Sequence, residues 1–95
     1  MVVFNGAEYI QAAIESVICQ SFQSWELIIV DNGSTDSTNL IIQSFSDEKR
    51  IRSYFFDKPD LIYSRNFAIE MSRGEYIAVL DSDDVCNPDR LLHQV

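Results

Sequence analysis

The sequence predicts an α/β fold, a parallel sheet with helices on both faces, and three observations predict it. Apolar runs of strand length alternate along the chain with segments of helical period. Two of those runs, Leu27-Ile28-Ile29-Val30 and Tyr76-Ile77-Ala78-Val79-Leu80, are apolar throughout, as expected of strands covered on both sides. Each run ends abruptly in an acidic cluster, Asp31-Asn32-Gly33-Ser34-Thr35-Asp36 and Asp81-Ser82-Asp83-Asp84. Buried strands deliver ligand-binding groups to the edge of a sheet in this way.

Taken in order, residues 2–4 read as the end of a first strand. Residues 7–19 place Ile10, Ala13, Ile14, Val17 and Ile18 on one helical face. Residues 26–30 form the central strand. Ser34, Thr35 or Asp36 can cap a helix over about 37–46, with Leu40, Ile41 and Phe45 inward. Residues 51–56 form a shorter strand, placed nearer the sheet edge by Arg52 and Ser53. A helix over 61–73 follows Pro59-Asp60 and stops at Gly74, a residue suited to the position after a helix end. Strand 75–80 comes next, and Asn87-Pro88-Asp89 opens a last helix with a capping residue and a proline in its first turn. Right-handed crossovers between parallel strands then give a Rossmann-like half-sheet of order 3-2-1-4. Asn5, Asp31 and Asp81 all fall at the carboxyl ends of its strands, where such sheets bind ligands. Tyr9, Trp25 and the phenylalanines read as core.

Ninety-five residues, 46% of them apolar and 12% aromatic, make a single domain with a modest core. The chain starts inside its first strand and stops inside a helix, so 1–95 reads as the truncated amino-terminal part of a larger domain. An open sheet edge left by truncation leads us to expect weak stability or self-association. No stretch approaches the roughly 20 apolar residues of a membrane span, and the start lacks a signal peptide's pattern. Cys19 and Cys86 are isolated, without CxxC spacing, as in reduced cysteines of an intracellular protein. The expected location is cytoplasmic, at most peripheral at the inner face of the membrane. A net charge of −8 argues against a nucleic-acid partner.

Two acidic strand ends side by side can hold a nucleotide with one and a metal-bound diphosphate with the other. The cation is essential to that reading, because an acidic pocket binds an anion only with a divalent ion between them. A calcium loop of the EF-hand type is excluded: Val85 occupies a ligand position and the glycine is missing. Gly6, Gly33 and Gly74 are scattered, with no GxGxxG, which disfavours a dinucleotide oxidoreductase.

Four segments together resemble the amino-terminal half of a family 2 glycosyltransferase of the GT-A fold. Phe4-Asn5 through Tyr9-Ile10 resembles that family's "YN…YI" opening, and Ser16-Val17 to Gln20 its "S(V/I)L.Q". Glu26 through Asp36 resembles "EIIVVDDGSTD". Ser64-Arg65-Asn66 through Ile77, with Leu80 through Asp84, resembles "ARN…A.GEYI.FLDSDD". The resemblance spans essentially the whole chain. It implies transfer of a sugar, usually with inversion, from a nucleoside-diphosphate sugar of the UDP or dTDP type, using Mn²⁺ or Mg²⁺. The acceptor would be a saccharide or glycoconjugate, as in cell-wall or polysaccharide biosynthesis. By position, Asp31 and Asn32 would contact the base, with Asn5 beside them, and Asp81 the ribose or the metal. Asp83 would be the direct metal ligand of a DxD motif, with Asp84 supporting it, and Ser82 would join the substrate contacts. Arg65 lies where a cation near the nucleotide is expected. Many members carry a second carboxylate where Asn32 stands. An Asp accepts a hydrogen bond from a uracil or thymine N–H, and the amide oxygen of Asn can do so without the charge. The family's catalytic base falls in the carboxyl-terminal half, so no catalytic residue is assigned here.

Two other readings stand beside this one. The chain can bind a nucleotide without turning it over. Alternatively, Tyr76 through Val85 matches the hhhhDxDx(T/V) signature of haloacid-dehalogenase-like phosphatases, with Asp81 as nucleophile. That motif normally opens its domain, whereas 80 residues precede Asp81 here and eleven follow Asp84.

Overall fold

The computed structural model describes residues 1–58 and 60–72. Over them the chain runs β1 (Val2–Val3), α1 (Ile10–Ile18), β2 (Leu27–Asp31), α2 (Thr38–Gln43), β3 (Ile51–Phe55) and α3 (Leu61–Met71). The strands are parallel and ordered β1-β2-β3. This sets β2 in the middle and β3 at one edge of the described sheet, as their sequences suggest. The expected strand 75–80, the cap at Gly74 and the helix after Asn87 lie outside the described residues, and so does the fourth place in the predicted order.

All five residues of β2 are buried. Side chains alternate across a strand, so β2 supplies both faces of the sheet. Leu27 and Ile29 join Val3, Ile10, Ile14, Val17 and Ile42 in one core cluster beneath α1 and α2. Ile28 and Val30 project to the other face, where α3 lies against β2 and β1. There Tyr54, Phe56, Tyr63 and Phe67 form an aromatic cluster, edge-to-face for Tyr54–Phe67 and Phe56–Phe67 at 4.9 and 5.0 Å between centroids and stacked for Tyr63–Phe67. The helix face read from Ile10, Ala13, Ile14 and Val17 is buried as expected, and Ile18 is partly covered.

Three expectations need correction. Of the residues expected inward on α2, Ile41 and Phe45 pack partly buried against the core, but Leu40 is 75% exposed and Thr38 and Ile42 are the buried ones. Six residues make less than two turns, too few for apolar spacing to fix which way the helix faces. Its orientation comes instead from Asp36, whose carboxylate accepts from the Thr38 backbone N–H at 2.9 Å and from the Thr38 hydroxyl. Tyr9, Phe4 and Phe55 are about half exposed rather than core. Finally, α3 ends at Met71, two residues short of the expected boundary.

At the opposite end of the sheet, Trp25 packs against the core under Arg50, whose guanidinium carbon is 3.9 Å from the ring centroid. Arg50 also pairs with Glu48 at 2.9 Å and donates to the Gln23 side chain at 2.8 Å. The Arg50 hydrogen bonds hold the Glu48 carboxyl well below its ordinary 4.5, at about 2. A carboxyl depressed in the folded state stabilises above its unfolded value, and that contribution is lost as pH falls through the folded one. Glu48→Gln should therefore flatten the acid decline in melting temperature between about pH 4.5 and 2. Wild-type and variant curves should converge at the acid end, and parallel curves would contradict the assignment.

Candidate functional site

The parallel register brings all three strand tips to one edge. Val3 is opposite Asp31, and Asp31 is opposite Phe55. Hydrogen bonds beyond the strands hold the tips in place: the Asn32 N–H donates to the Val3 carbonyl at 2.7 Å, and the Phe56 N–H to the Asp31 carbonyl at 2.9 Å. The backbone of the candidate site is thus fixed before any side chain is considered.

Asp31 is 1% exposed. Its Oδ1 accepts from the Ser34 N–H at 2.9 Å, closing a turn, while its Oδ2 is buried without a hydrogen-bond partner among the described residues. A buried carboxylate oxygen without a partner is costly. It stands at the tip of the central strand, the end of the sheet where the three strand tips meet. Gly33, buried with φ 84, makes the turn after it, in a backbone region that a Cβ disfavours.

Asn32 is 5% exposed. Its Oδ1 accepts from the Asp60 backbone N–H at 2.8 Å and from the Ser64 hydroxyl at 2.9 Å. Asp60 in turn caps α3, accepting from the Tyr63 N–H at 3.0 Å. A direct link therefore runs from the tip of β2 to the amino end of α3. Asp60 and Ser64 are the residues that sequence reasoning missed. The Asp60 cap was detectable from the Pro-Asp preceding an apolar run, but nothing in the sequence marks Ser64 as facing β2.

Asn5 is exposed and adopts φ 49, a left-handed conformation that asparagine tolerates better than most residues. Its N–H donates to Ser34 Oγ at 2.8 Å, and its Oδ1 accepts from the Thr35 N–H at 2.8 Å. The Ala7 N–H donates to Asp36 Oδ2 at 3.3 Å. The loop after β1 is thereby laced to the loop after β2. The Thr38 hydroxyl bond, with its backbone counterparts, lowers the Asp36 carboxyl below its ordinary value and keeps it ionised in this lacing.

Arg65 is exposed on α3, one residue after Ser64, and forms no ion pair among the described residues. Asp81, Ser82 and Asp83 lie outside the described residues. Among the described residues no group of three or more His, Cys, Asp or Glu side chains could hold a metal ion. No helix of the described residues is long and apolar enough to cross a membrane. Cys19 is a free, exposed thiol.

The whole chain, residues 1–95, matches the model of the family "Glycosyl transferase family 2". A Bacillus subtilis glycosyltransferase named for teichuronic acid biosynthesis, TuaG, is 39% identical over 94 residues, covering 97% of this chain and 37% of that protein. An uncharacterized Haemophilus influenzae glycosyltransferase is 38% identical over 97 residues, covering 100% of this chain and 39% of its own length. The chain thus spans well under half the length of these relatives. Among solved structures, S. aureus TarS 1–349 superimposes with a TM-score of 0.90 at 26% identity, over 98% of this chain and 29% of that one. TarS has also been crystallised with UDP and with UDP-GlcNAc, at TM-scores of 0.90 and 0.88. With the α/β fold and the laced strand tips in place, the match along its full length settles the family: the chain belongs to glycosyl transferase family 2.

Proposed function

We propose that this chain forms the donor-binding part of an inverting glycosyltransferase, which moves a sugar from a nucleoside-diphosphate sugar to an acceptor hydroxyl. The observation that carries the reading is the buried Oδ2 of Asp31, without a partner among the described residues, at the meeting point of three strand tips. It can accept from a base N–H or a ribose hydroxyl, and burial strengthens that hydrogen bond. Nucleotide-bound relatives of the same fold support the assignment, and the donor is of the UDP or dTDP type. Asn32 and Asn5 shape the same end of the site, and Arg65 neutralises part of the diphosphate.

Asp83, with Asp81 and Ser82 beside it in the sequence, would hold Mn²⁺ or Mg²⁺ against the diphosphate. Two carboxylates form the hard-oxygen, partial donor set these ions take when phosphate oxygens complete their coordination. When bound, the ion supplies Lewis-acid stabilisation of the charge growing on the leaving diphosphate. Inversion follows when the acceptor oxygen attacks the anomeric carbon opposite that leaving group, its proton passing to a base contributed outside these residues. The enzyme would act in cell-wall or polysaccharide assembly, in the cytoplasm or at the inner face of the membrane.

Calorimetric titration of UDP, dTDP and GDP, each with Mn²⁺ and with EDTA, tests this. UDP or dTDP should bind, and only with the metal. Equal affinity in EDTA would remove the cation from the site, and no binding of any nucleotide would remove the donor site.

A further inference from the structure

We propose that Ser64 is a positioning residue for the donor site, acting through Asn32 to hold the amino end of α3 where Arg65 meets the diphosphate. The inference rests on the donor-site reading above and adds to it what sets the place of that cation. Of the eleven residues of α3, only Ser64 is buried, at 0% exposure. The apolar residues Leu61, Ile62, Tyr63 and Ile69 are all about half exposed or more. The ring contacts of Phe67 hold α3 against the sheet, but apolar contact is non-directional and does little to fix a helix about its axis. Hydrogen bonds at its two ends do. At the amino end Asn32 Oδ1 accepts from the Ser64 hydroxyl at 2.9 Å and from the Asp60 N–H at 2.8 Å. At the carboxyl end the Arg52 guanidinium donates to the Met71 carbonyl at 2.6 Å and pairs with Glu26 at 3.3 Å.

Arg65 directly follows Ser64, is exposed, and forms no ion pair among the described residues. Successive residues leave a helix about 100° apart around its axis. The bond that fixes the rotation of Ser64 therefore also fixes the direction in which Arg65 leaves the helix. A loosened first turn spreads the guanidinium over more positions, and ordering it again on binding costs affinity. A fully buried hydroxyl does not itself reach a ligand, so any effect of Ser64 on binding has to pass through the helix.

The test is a double-mutant cycle of Ser64→Ala and Arg65→Ala, read by titration of UDP with Mn²⁺, with melting temperatures from the same samples. Ser64→Ala should weaken UDP binding about fivefold, and Arg65→Ala about tenfold or more. Together they should weaken it no further than Arg65→Ala alone, because the route from Ser64 to the ligand ends at that side chain. Arg52→Ala releases the other end of α3, and should lower the melting temperature while leaving UDP affinity within about twofold. If Ser64→Ala fails to fold, Ser64→Cys takes its place in the cycle, keeping nearly the same shape with a weaker donor. Unchanged affinity in Ser64→Ala, losses that multiply in the double variant, or a loss in Arg52→Ala equal to that in Ser64→Ala would each overturn the proposal while leaving the donor site intact. Full affinity in Arg65→Ala would do the same. If wild type binds no UDP, the donor site fails first and this inference fails with it.

Discussion

Truncating Ile29 to alanine should destabilise the protein by about 2–5 kcal/mol, the largest loss expected from any single core change. Ile29 is completely buried at the middle of the central strand and belongs to the cluster formed with Ile10, Ile14, Val17 and Ile42. Removing three carbons there forfeits their transfer free energy and leaves a cavity between β2 and two helices that pack against each other. Those neighbours can collapse into it only partly. Against a typical stability of roughly 5–15 kcal/mol for a domain, such a loss brings the chain close to unfolding. Leu40→Ala is the matched control, because its side chain is 75% exposed, and it should change stability by about 0.5 kcal/mol or less. Urea denaturation of both variants provides the measurement. Similar midpoint shifts would mean that the core does not lie where Ile29 and Leu40 place it.

The second large effect is on binding. Asp83→Ala should eliminate the Mn²⁺-dependent part of UDP affinity. Removing one partner of a close charge pair costs about 2–5 kcal/mol, roughly 30-fold or more in affinity. The physical reason is charge: with a net −8 on the chain, a diphosphate is repelled unless a cation sits between it and the carboxylates. Thr35→Ala is the control. Thr35 contributes to the loop chiefly through its backbone N–H, which donates to Asn5 Oδ1 at 2.8 Å and is unaffected by the change. If Asp83→Ala retained full metal-dependent affinity, the ion would have to be held elsewhere.

The elements that could be read in advance share one property: their signal is local and long enough to fix a phase. Five consecutive buried positions identified β2, and two full turns of spacing oriented α1. Asp31 could be placed at a strand tip because an apolar run ended there. Where the signal was short, it failed. Nothing within the six residues of α2 distinguishes an inward Leu40 from an inward Ile42; the Asp36–Thr38 hydrogen bonds decide it. Tyr9 had the apolar character of a core residue, yet it sits just before α1, and the helix turns its buried face away from it.

The sequence by itself determined the α/β class, the central strand, the family resemblance and the residues that end the strands, because each depends on neighbours close along the chain. Only the tertiary structure decided what Asn5 and Asn32 do. Their partners lie about 30 positions away, Thr35 for the first and Asp60 and Ser64 for the second. A side-chain amide can accept or donate, and which of the two it offers a ligand depends on which atoms the fold has already used.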